Sequence, residues 1–320
     1  MFLPKSRRSV LAVPGSSQKM ILKARELTVD QVFLDLEDAV APDAKASART
    51  TIANTLKPQN LSQRVFAAGV ISIRINAIGT PWITDDLALL SEGVAREIQT
   101  VIFPKAADAE QVRWLAAELE RIENELGLAT GVIGIDAQIE SAQGLINVEA
   151  IANVPRIQSL IFGPVDFMAD MGIPTLVVGS QPVGYEIGDA FYYALMKILV
   201  AARAFGKVAI DGPVVEVRDL DKFRSSASRA KALGFDGKMV LHPDQINACN
   251  EIFTPSQYEF NRAEALLEAY ELSSSAQGGG RGALMHEGAM IDEASTRVAQ
   301  FTATRGRAAG LQRSKHFSHE

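Results

Sequence analysis

Residues 100–141, TVIFPKAADAEQVRWLAAELERIENELGLATGVIGIDAQIES, contain the pattern that decides the fold. A short apolar run, Thr100–Phe103, leads into a helix-periodic segment from Asp108 to Leu126, and a second apolar run follows at Gly131–Ile139. In the middle segment Val112, Leu115, Ala116, Leu119, Ile122 and Leu126 recur at three- and four-residue spacing, which lines one face of a helix. Asp108 and Gln111 stand where a capping box would start that helix. The flanking runs are continuously apolar rather than alternating. That marks strands buried on both faces, as in a parallel sheet whose strands are joined by crossover helices.

The same kind of run recurs on either side, at Val10–Val13, Gln31–Leu36, Val70–Ile75, Ser159–Phe162, Lys207–Ile210 and Lys238–Leu241. This makes eight runs, with helix-length segments between them. Eight strand–helix alternations predict an α/β fold of the (β/α)8 TIM-barrel type. A doubly wound sheet is the alternative, but no Gly-x-Gly-x-x-Gly follows any run. A last helix from Pro255 to Leu272 completes a catalytic domain over residues 1–272. Residues 273–280, SSSAQGGG, read as a flexible linker. Residues 281–310 are expected to form a small C-terminal helical appendage, too small to own a core, and 311–320 a disordered tail.

The composition narrows the function classes. The 320 residues are 47% apolar, and 32 basic against 38 acidic side chains give a net charge of −6, which argues against nucleic acid as a partner. Cys249 is the only cysteine, so an intramolecular disulfide is impossible and a cytoplasmic location is expected. Pro14-Gly15 stops the N-terminal apolar run short of a signal-peptide core, and Lys197 and Arg203 interrupt Ala190–Phe205, so no membrane segment is expected.

A barrel of this type works at the carboxyl ends of its strands. Glu37 and Asp38 follow the second run, Arg74 lies within the third, and Pro104-Lys105 follow the fourth. Glu140 follows the fifth, Asp166 the sixth, Asp211 ends the seventh, and His242-Pro243 follow the eighth. Glu140 and Asp166 come from adjacent strands, and two carboxylates completed by water and substrate oxygens are the usual way to hold Mg2+. The other reading makes each a helix cap or an arginine partner. Arg74, in the otherwise apolar VISIRIN, needs an anion: a substrate carboxylate or carbonyl, or an ion pair with Glu37 or Asp38. Lys19 and Lys23 sit one helical turn apart, as do Lys45 and Arg49; both pairs are candidates for phosphate contacts, or simply solvated faces. No Gly-x-Ser-x-Gly elbow is present, and Cys249 has no evident histidine partner, so covalent catalysis is not indicated.

The strand-end words RSVLAVPGS, VFLDLEDAVAPDAK, IRIN, FPK, IESAQGL, FGPVDFMADMG, KVAIDGP and MVLHPDQI occur in this order from Ser6 onward. Together they resemble the HpcH/HpaI aldolase/citrate lyase superfamily. AARAFG, AIDGP and the late GAMIDEA are similar to its stand-alone CoA-ester lyases, which act on malyl-CoA, β-methylmalyl-CoA or citramalyl-CoA. The resemblance implies a Mg2+-dependent (Mn2+ possible) carbon–carbon lyase. Such an enzyme reversibly cleaves a 3-hydroxyacyl-CoA to an acyl-CoA and a 2-oxo acid, glyoxylate or pyruvate, in a homotrimer or a hexamer of trimers.

By the resemblance, Glu140 and Asp166 are metal ligands, Arg74 is catalytic beside the metal, and Glu37 and Asp38 are acidic residues near it. Lys19 and Lys23 contact CoA, and Pro243 and Asp244 line the thioester channel. Asp292 is the base, carried by the lid into a neighbouring subunit's site. Two positions depart from the pattern: Ala12, where some relatives have an aromatic substrate contact, and Ala294, in place of a proline after the lid aspartate. Two rivals remain: a CoA-independent 4-hydroxy-2-oxo acid aldolase of the same fold, which would share the metal and Arg74 but have no need of Lys19, Lys23 or the lid, and a non-catalytic or carrier-dependent citrate lyase β-like subunit, against which the intact Glu140, Asp166, Arg74 and Asp292 argue.

Overall fold

In a computed structural model, which describes residues 5–56, 65–174, 190–275, 282–286 and 289–314, eight parallel strands close into a barrel in sequence order. They are β1 (Ser9–Pro14), β2 (Gln31–Asp35), β3 (Val70–Arg74), β4 (Thr100–Phe103), β5 (Gly134–Ile139), β6 (Ile157–Phe162), β7 (Val208–Asp211) and β8 (Gly237–Val240). β8 pairs back onto β1 through Ser9↔Lys238 and Leu11↔Val240. The helices of this unit are α1 (Gln18–Ala24), α2 (Lys45–Leu56), α3 (Ile83–Ser91), α4 (Ala109–Glu125), α5 (Ala142–Ile146), α6 (Val148–Ala152), α7 (Pro164–Met171), α8 (Tyr192–Ala204), α9 (Leu220–Leu233) and α10 (Asp244–Phe253). All eight expected strands are present. No described helix is long and apolar enough to cross a membrane.

The barrel interior is filled in layers. Its middle is apolar: Val10, Phe33, Ile102, Ile161, Ile210 and Met239 form one buried cluster, with Ala12 and Val208 against it. Below, toward the amino ends of the strands, the filling is polar. Asp136 accepts from Arg7 (2.6 Å), Thr100 (2.7 Å), Ser159 (2.7 Å) and Gln31 (3.1 Å), so its buried charge is both paired and hydrogen-bonded. The main hydrophobic core lies outside the barrel, where the outward strand residues meet the helices.

Two local details depart from expectation. The fifth strand starts at Gly134 rather than Gly131: Gly131 turns at φ 84°, and the Glu123 carboxylate accepts the amides of Gly131 and Ile133. Asp108 does cap α4 by accepting from Glu110 and Gln111, while the Gln111 side chain reaches the amide of Ala107 instead of completing the box on Asp108.

A second compact unit comprises the described residues of Met1–Ser6 and Thr254–Glu320. It contains α11 (Gln257–Ser274), a two-stranded antiparallel ladder of β9 (Leu284–His286) and β10 (Ala289–Ile291), and α12 (Glu293–Ala308). A full capping box, Ser256 with Glu259, starts α11. α11 continues through Ser274, into the expected linker; residues 276–280 of that linker and 315–320 of the expected tail lie outside the described residues. Within this unit α12 packs on α11. Ala299 and Ala303 meet Ala263, Leu266 and Leu267, and Arg307 pairs with Glu264 at 2.8 Å.

Candidate active site

The mouth of the barrel is organised around a residue that the sequence reading passed over. Asp35, the last residue of β2, is fully buried and receives the guanidinium of Arg74 in a two-pronged pair, Nε at 2.7 Å and Nη2 at 2.6 Å. The same carboxylate accepts the amides of Glu37 (2.9 Å) and Ala39 (3.0 Å), which folds the LEDA loop back over the strand ends. Burial pushes the Asp35 pKa up, but Arg74 outweighs it and holds the group below the usual carboxylate range. Burial likewise opposes the Arg74 charge. Asp35, then Glu37 and Asp38, more than offset it, so Arg74 stays charged. Its planar guanidinium lies over Phe33, 5.6 Å from the ring centre, and its remaining Nη1 faces Glu37 at 3.2 Å and Asp38 at 3.7 Å. The anion that Arg74 requires is therefore supplied first by Asp35, and Glu37 and Asp38 are secondary.

Lys45 and Arg49 support this loop rather than bind phosphate. Both are buried. Lys45 donates to the carbonyls of Leu36 (2.8 Å) and Glu37 (3.0 Å) and lies over Trp82. Arg49 bonds Asp86 at 2.7 Å and Asp85 at 3.2 Å. The phosphate reading of this pair is thus overturned, because acids and carbonyls from neighbouring segments already occupy both cations. Lys19 and Lys23 differ: both are exposed on α1, with no ion pair among the described residues.

Opposite Arg74, Glu140 follows β5 and is 2% exposed. It accepts the amide of Lys105 at 2.6 Å and the side-chain amide of Gln138. Burial, the neighbouring Glu37 and Asp166 raise its pKa to about 8. Burial also raises Glu37 to about 6, against the pull of Arg74 and Lys105. Asp166 sits in the first turn of α7, a favourable place for negative charge, and is partly open to solvent. Gly163, at the end of β6, leaves the space that Glu140 fills: a side chain there would collide with the Glu140 carboxylate and approach Gln138. Lys105 adds a further cation, with its ammonium on Glu37, 3.7 Å from Asp38 and 3.9 Å from Asp166.

The mouth therefore concentrates five carboxyl groups on two cations, Arg74 and Lys105. Two carboxylates that carry each other's repulsion, one of them almost wholly buried, suit a small hard divalent cation. Among the described residues no group of three or more His, Cys, Asp or Glu has the geometry of an all-protein metal cage. A Glu140–Asp166 pair would leave the other positions of an octahedron to water and ligand oxygens, which is the usual habit of Mg2+.

After β8, Pro243 is half-buried and Asp244 exposed, the Asp244 amide donating to His242 Nδ1 at 3.2 Å. Asp292 lies in the second unit as the N-cap of α12, accepting the amide (2.9 Å) and hydroxyl (3.0 Å) of Ser295. Those bonds lower its pKa. Asp35 and Gln138 are mouth residues that the strand-end pattern does not single out, and Lys105, which it does, had no role assigned to it. For Asp35 a signal was present, a charge inside the apolar run VFLDL.

The sequence profile of the HpcH/HpaI aldolase/citrate lyase family matches residues 8–243. An L-malyl-CoA/beta-methylmalyl-CoA lyase of Rhodobacter capsulatus is 35% identical over 303 residues, 92% of each chain. An enzyme of the same name from Cereibacter sphaeroides is 33% identical over 302 residues, again 92% of each. Among solved structures, protein CitE from Mycobacterium tuberculosis in complex with magnesium, acetoacetate and coenzyme A superposes with a TM-score of 0.71 at 27% identity, covering 97% of this chain and 100% of that one.

Proposed function

Because the chain belongs to the HpcH/HpaI aldolase/citrate lyase family, we propose that it is a Mg2+-dependent CoA-ester lyase that cleaves a 3-hydroxyacyl-CoA to an acyl-CoA and a 2-oxo acid. The observation that carries this reading is the mouth itself: a buried, immobilised guanidinium facing a pair of carboxylates suited to a divalent cation, in a chain that matches malyl-CoA lyases over 92% of its length. When bound, the cation supplies Lewis-acid polarisation of the 2-oxo acid. Glu140 and Asp166 would hold it.

The chain's own groups do the rest. In the condensing direction the α proton of the acyl-CoA passes to Asp292, and the resulting enolate carbon attacks the keto carbon. The C=O π electrons go to its oxygen, and the charge that develops there is met by Arg74. The alkoxide then takes a proton from water; cleavage is the reverse, with water taking the hydroxyl proton, the C–C bond breaking as its electrons pass to the α carbon and thioester, and protonated Asp292 returning a proton to the α carbon. Arg74 needs no reorganisation for this, since Asp35 already fixes two of its nitrogens. As a half-buried cap held below the usual carboxylate range, Asp292 is a weak base, so the reading requires that the lid segment dock and exclude water from it. That partner is a neighbouring subunit of a homotrimer or hexamer. Exposed Lys19 and Lys23 would take the CoA phosphates, with Pro243 and Asp244 along the thioester. Glyoxylate and pyruvate are the candidate oxo acids, and a cytoplasmic location fits a single buried thiol.

The test is a product assay on malyl-CoA, β-methylmalyl-CoA and citramalyl-CoA with and without Mg2+. Cleavage that needs Mg2+ and is lost in Glu140→Ala and Asp166→Ala is expected; activity surviving EDTA would refute the metal reading, and cleavage of free 4-hydroxy-2-oxo acids alone would favour the CoA-independent aldolase. Exchange of inactive Arg74→Ala with inactive Asp292→Asn subunits should restore part of the activity. A mixture that stays dead would place the base elsewhere.

A further inference from the structure

Lys105 is the one non-glycine residue with a left-handed backbone among the described residues, at φ 51°. That conformation is disfavoured for a side chain with a Cβ, and it persists only where the surroundings enforce it. The surroundings here are the acidic mouth. The Lys105 amide donates to Glu140 at 2.6 Å, and its ammonium pairs with Glu37 while standing 3.7 Å from Asp38 and 3.9 Å from Asp166. The left-handed turn after β4 is what lets backbone and side chain of one residue reach this single cluster.

The two cations of the mouth differ in freedom. Arg74 is buried and locked to Asp35 at both prongs. Lys45, nearby, is committed to two carbonyls. The Lys105 side chain is 42% exposed, on a flexible four-carbon stem. It is the charge that can move.

We propose that Lys105 is a positioning residue that serves as the built-in counter-cation of the metal site: its ammonium gathers Glu37, Asp38 and Asp166 in the metal-free protein and yields toward solvent when a divalent cation enters. The inference rests on the metal reading of Glu140 and Asp166. It has a direction. A resident ammonium competes for the same oxygens, so it keeps the acidic cluster assembled at the expense of cation affinity. The Lys105 amide, which does not need to move, continues to orient Glu140 in both states.

The experiment is Mn2+ binding to EDTA-stripped protein, followed by electron paramagnetic resonance of the free ion. Lys105→Met keeps the stem and removes the charge; it should bind Mn2+ roughly tenfold more tightly than wild type, the order expected for deleting a unit charge near a divalent ion. Its metal-free Tm should fall, and saturating Mg2+ should restore it. Lys105→Gly, which relieves the backbone and also lacks the ammonium, should tighten binding to the same degree and covers the case in which the methionine variant folds poorly. Lys105→Arg, which keeps the charge, should leave the Kd within about twofold of wild type. A Kd in Lys105→Met and Lys105→Gly that is unchanged or weaker overturns the proposal. Wild type that fails to bind Mn2+, or Glu140→Ala that binds as well as wild type, instead overturns the metal reading beneath it.

Discussion

Replacing Asp35 by Asn tests whether the mouth is organised as described. The carboxylate accepts four hydrogen bonds, two from Arg74 and the amides of Glu37 and Ala39. Asparagine offers one oxygen, which can keep Arg74 Nε and the Glu37 amide. Its NH2 group would then face two donors, Arg74 Nη2 and the Ala39 amide. The change removes one charge-assisted bond and one backbone bond, and leaves a buried guanidinium with less than its full counter-charge. Breaking a buried pair by deleting one partner costs about 3–5 kcal/mol, and the sum of the lost bonds lies in the same range. Urea unfolding followed by tryptophan fluorescence reads this directly, because Trp82 and Trp114 both belong to the barrel unit. The sign with pH is fixed as well. The folded pKa of Asp35 is depressed, so its stabilisation is present above the unfolded carboxylate pKa of about 4 and declines as pH falls below it. The gap between wild type and Asp35→Asn should narrow on acidification. A loss under about 1 kcal/mol at neutral pH, the value of an exposed ion pair, would refute the claim that Asp35 anchors Arg74.

Other outcomes follow from the same geometry. The Glu140 pKa is raised to about 8, so its burial contributes stability below the unfolded value and loses it as pH rises toward 8. In EDTA, Glu140→Gln should therefore raise Tm at pH 8 but not at pH 4, the new amide donating to Gln138 Oε1, unpartnered in the wild type, once the Gln138 amide flips to turn that oxygen toward it; an equal shift at both pH values would contradict this. Lys19→Ala with Lys23→Ala should raise KM for the CoA ester severalfold and leave kcat nearly unchanged, because distant phosphate contacts hold ground and transition states alike. An unchanged KM in steady-state assays would return both lysines to the solvated surface. Burial pushes the Cys249 thiol up to about 12, so iodoacetamide at pH 8.5 should label it only in denatured protein. Labelling of the native protein at the denatured rate would mean that the helix carrying Cys249 opens readily.

The strands were legible because burial on both faces leaves a run of apolar residues that little else produces. The ends were less so: Gly131–Ile133 is as apolar as a strand, but Glu123, from the preceding helix, takes its amides. Glu37, Arg74, Glu140 and Asp166 were legible as charges where strands stop. Lys45 and Arg49 misled because their spacing matches a phosphate cradle, while Asp85 and Asp86, which occupy Arg49, come from a different helix. The left-handed turn at Lys105 has no signature in residue type, since lysine is the wrong residue for it. The β9–β10 ladder was hidden by its brevity, with three residues on each side.

The polar base of the barrel bears on how the protein is made. Arg7 spans the barrel floor to Asp136 and to Gln158 on β6, and β1 is flanked on its other side by β8. During vectorial synthesis the first strand is therefore the first to leave the ribosome and the last to be fully satisfied. Its arginine waits for residues 136 and 158, and its second edge waits for residues 238–240. Until then Arg7 and the exposed edge of β1 are a charge without a counter-charge and a strand without a neighbour. A nascent chain stalled before β5 should accordingly stay protease-sensitive at its amino terminus, and protection there should appear in two steps, as β5 with β6 and then β8 emerge.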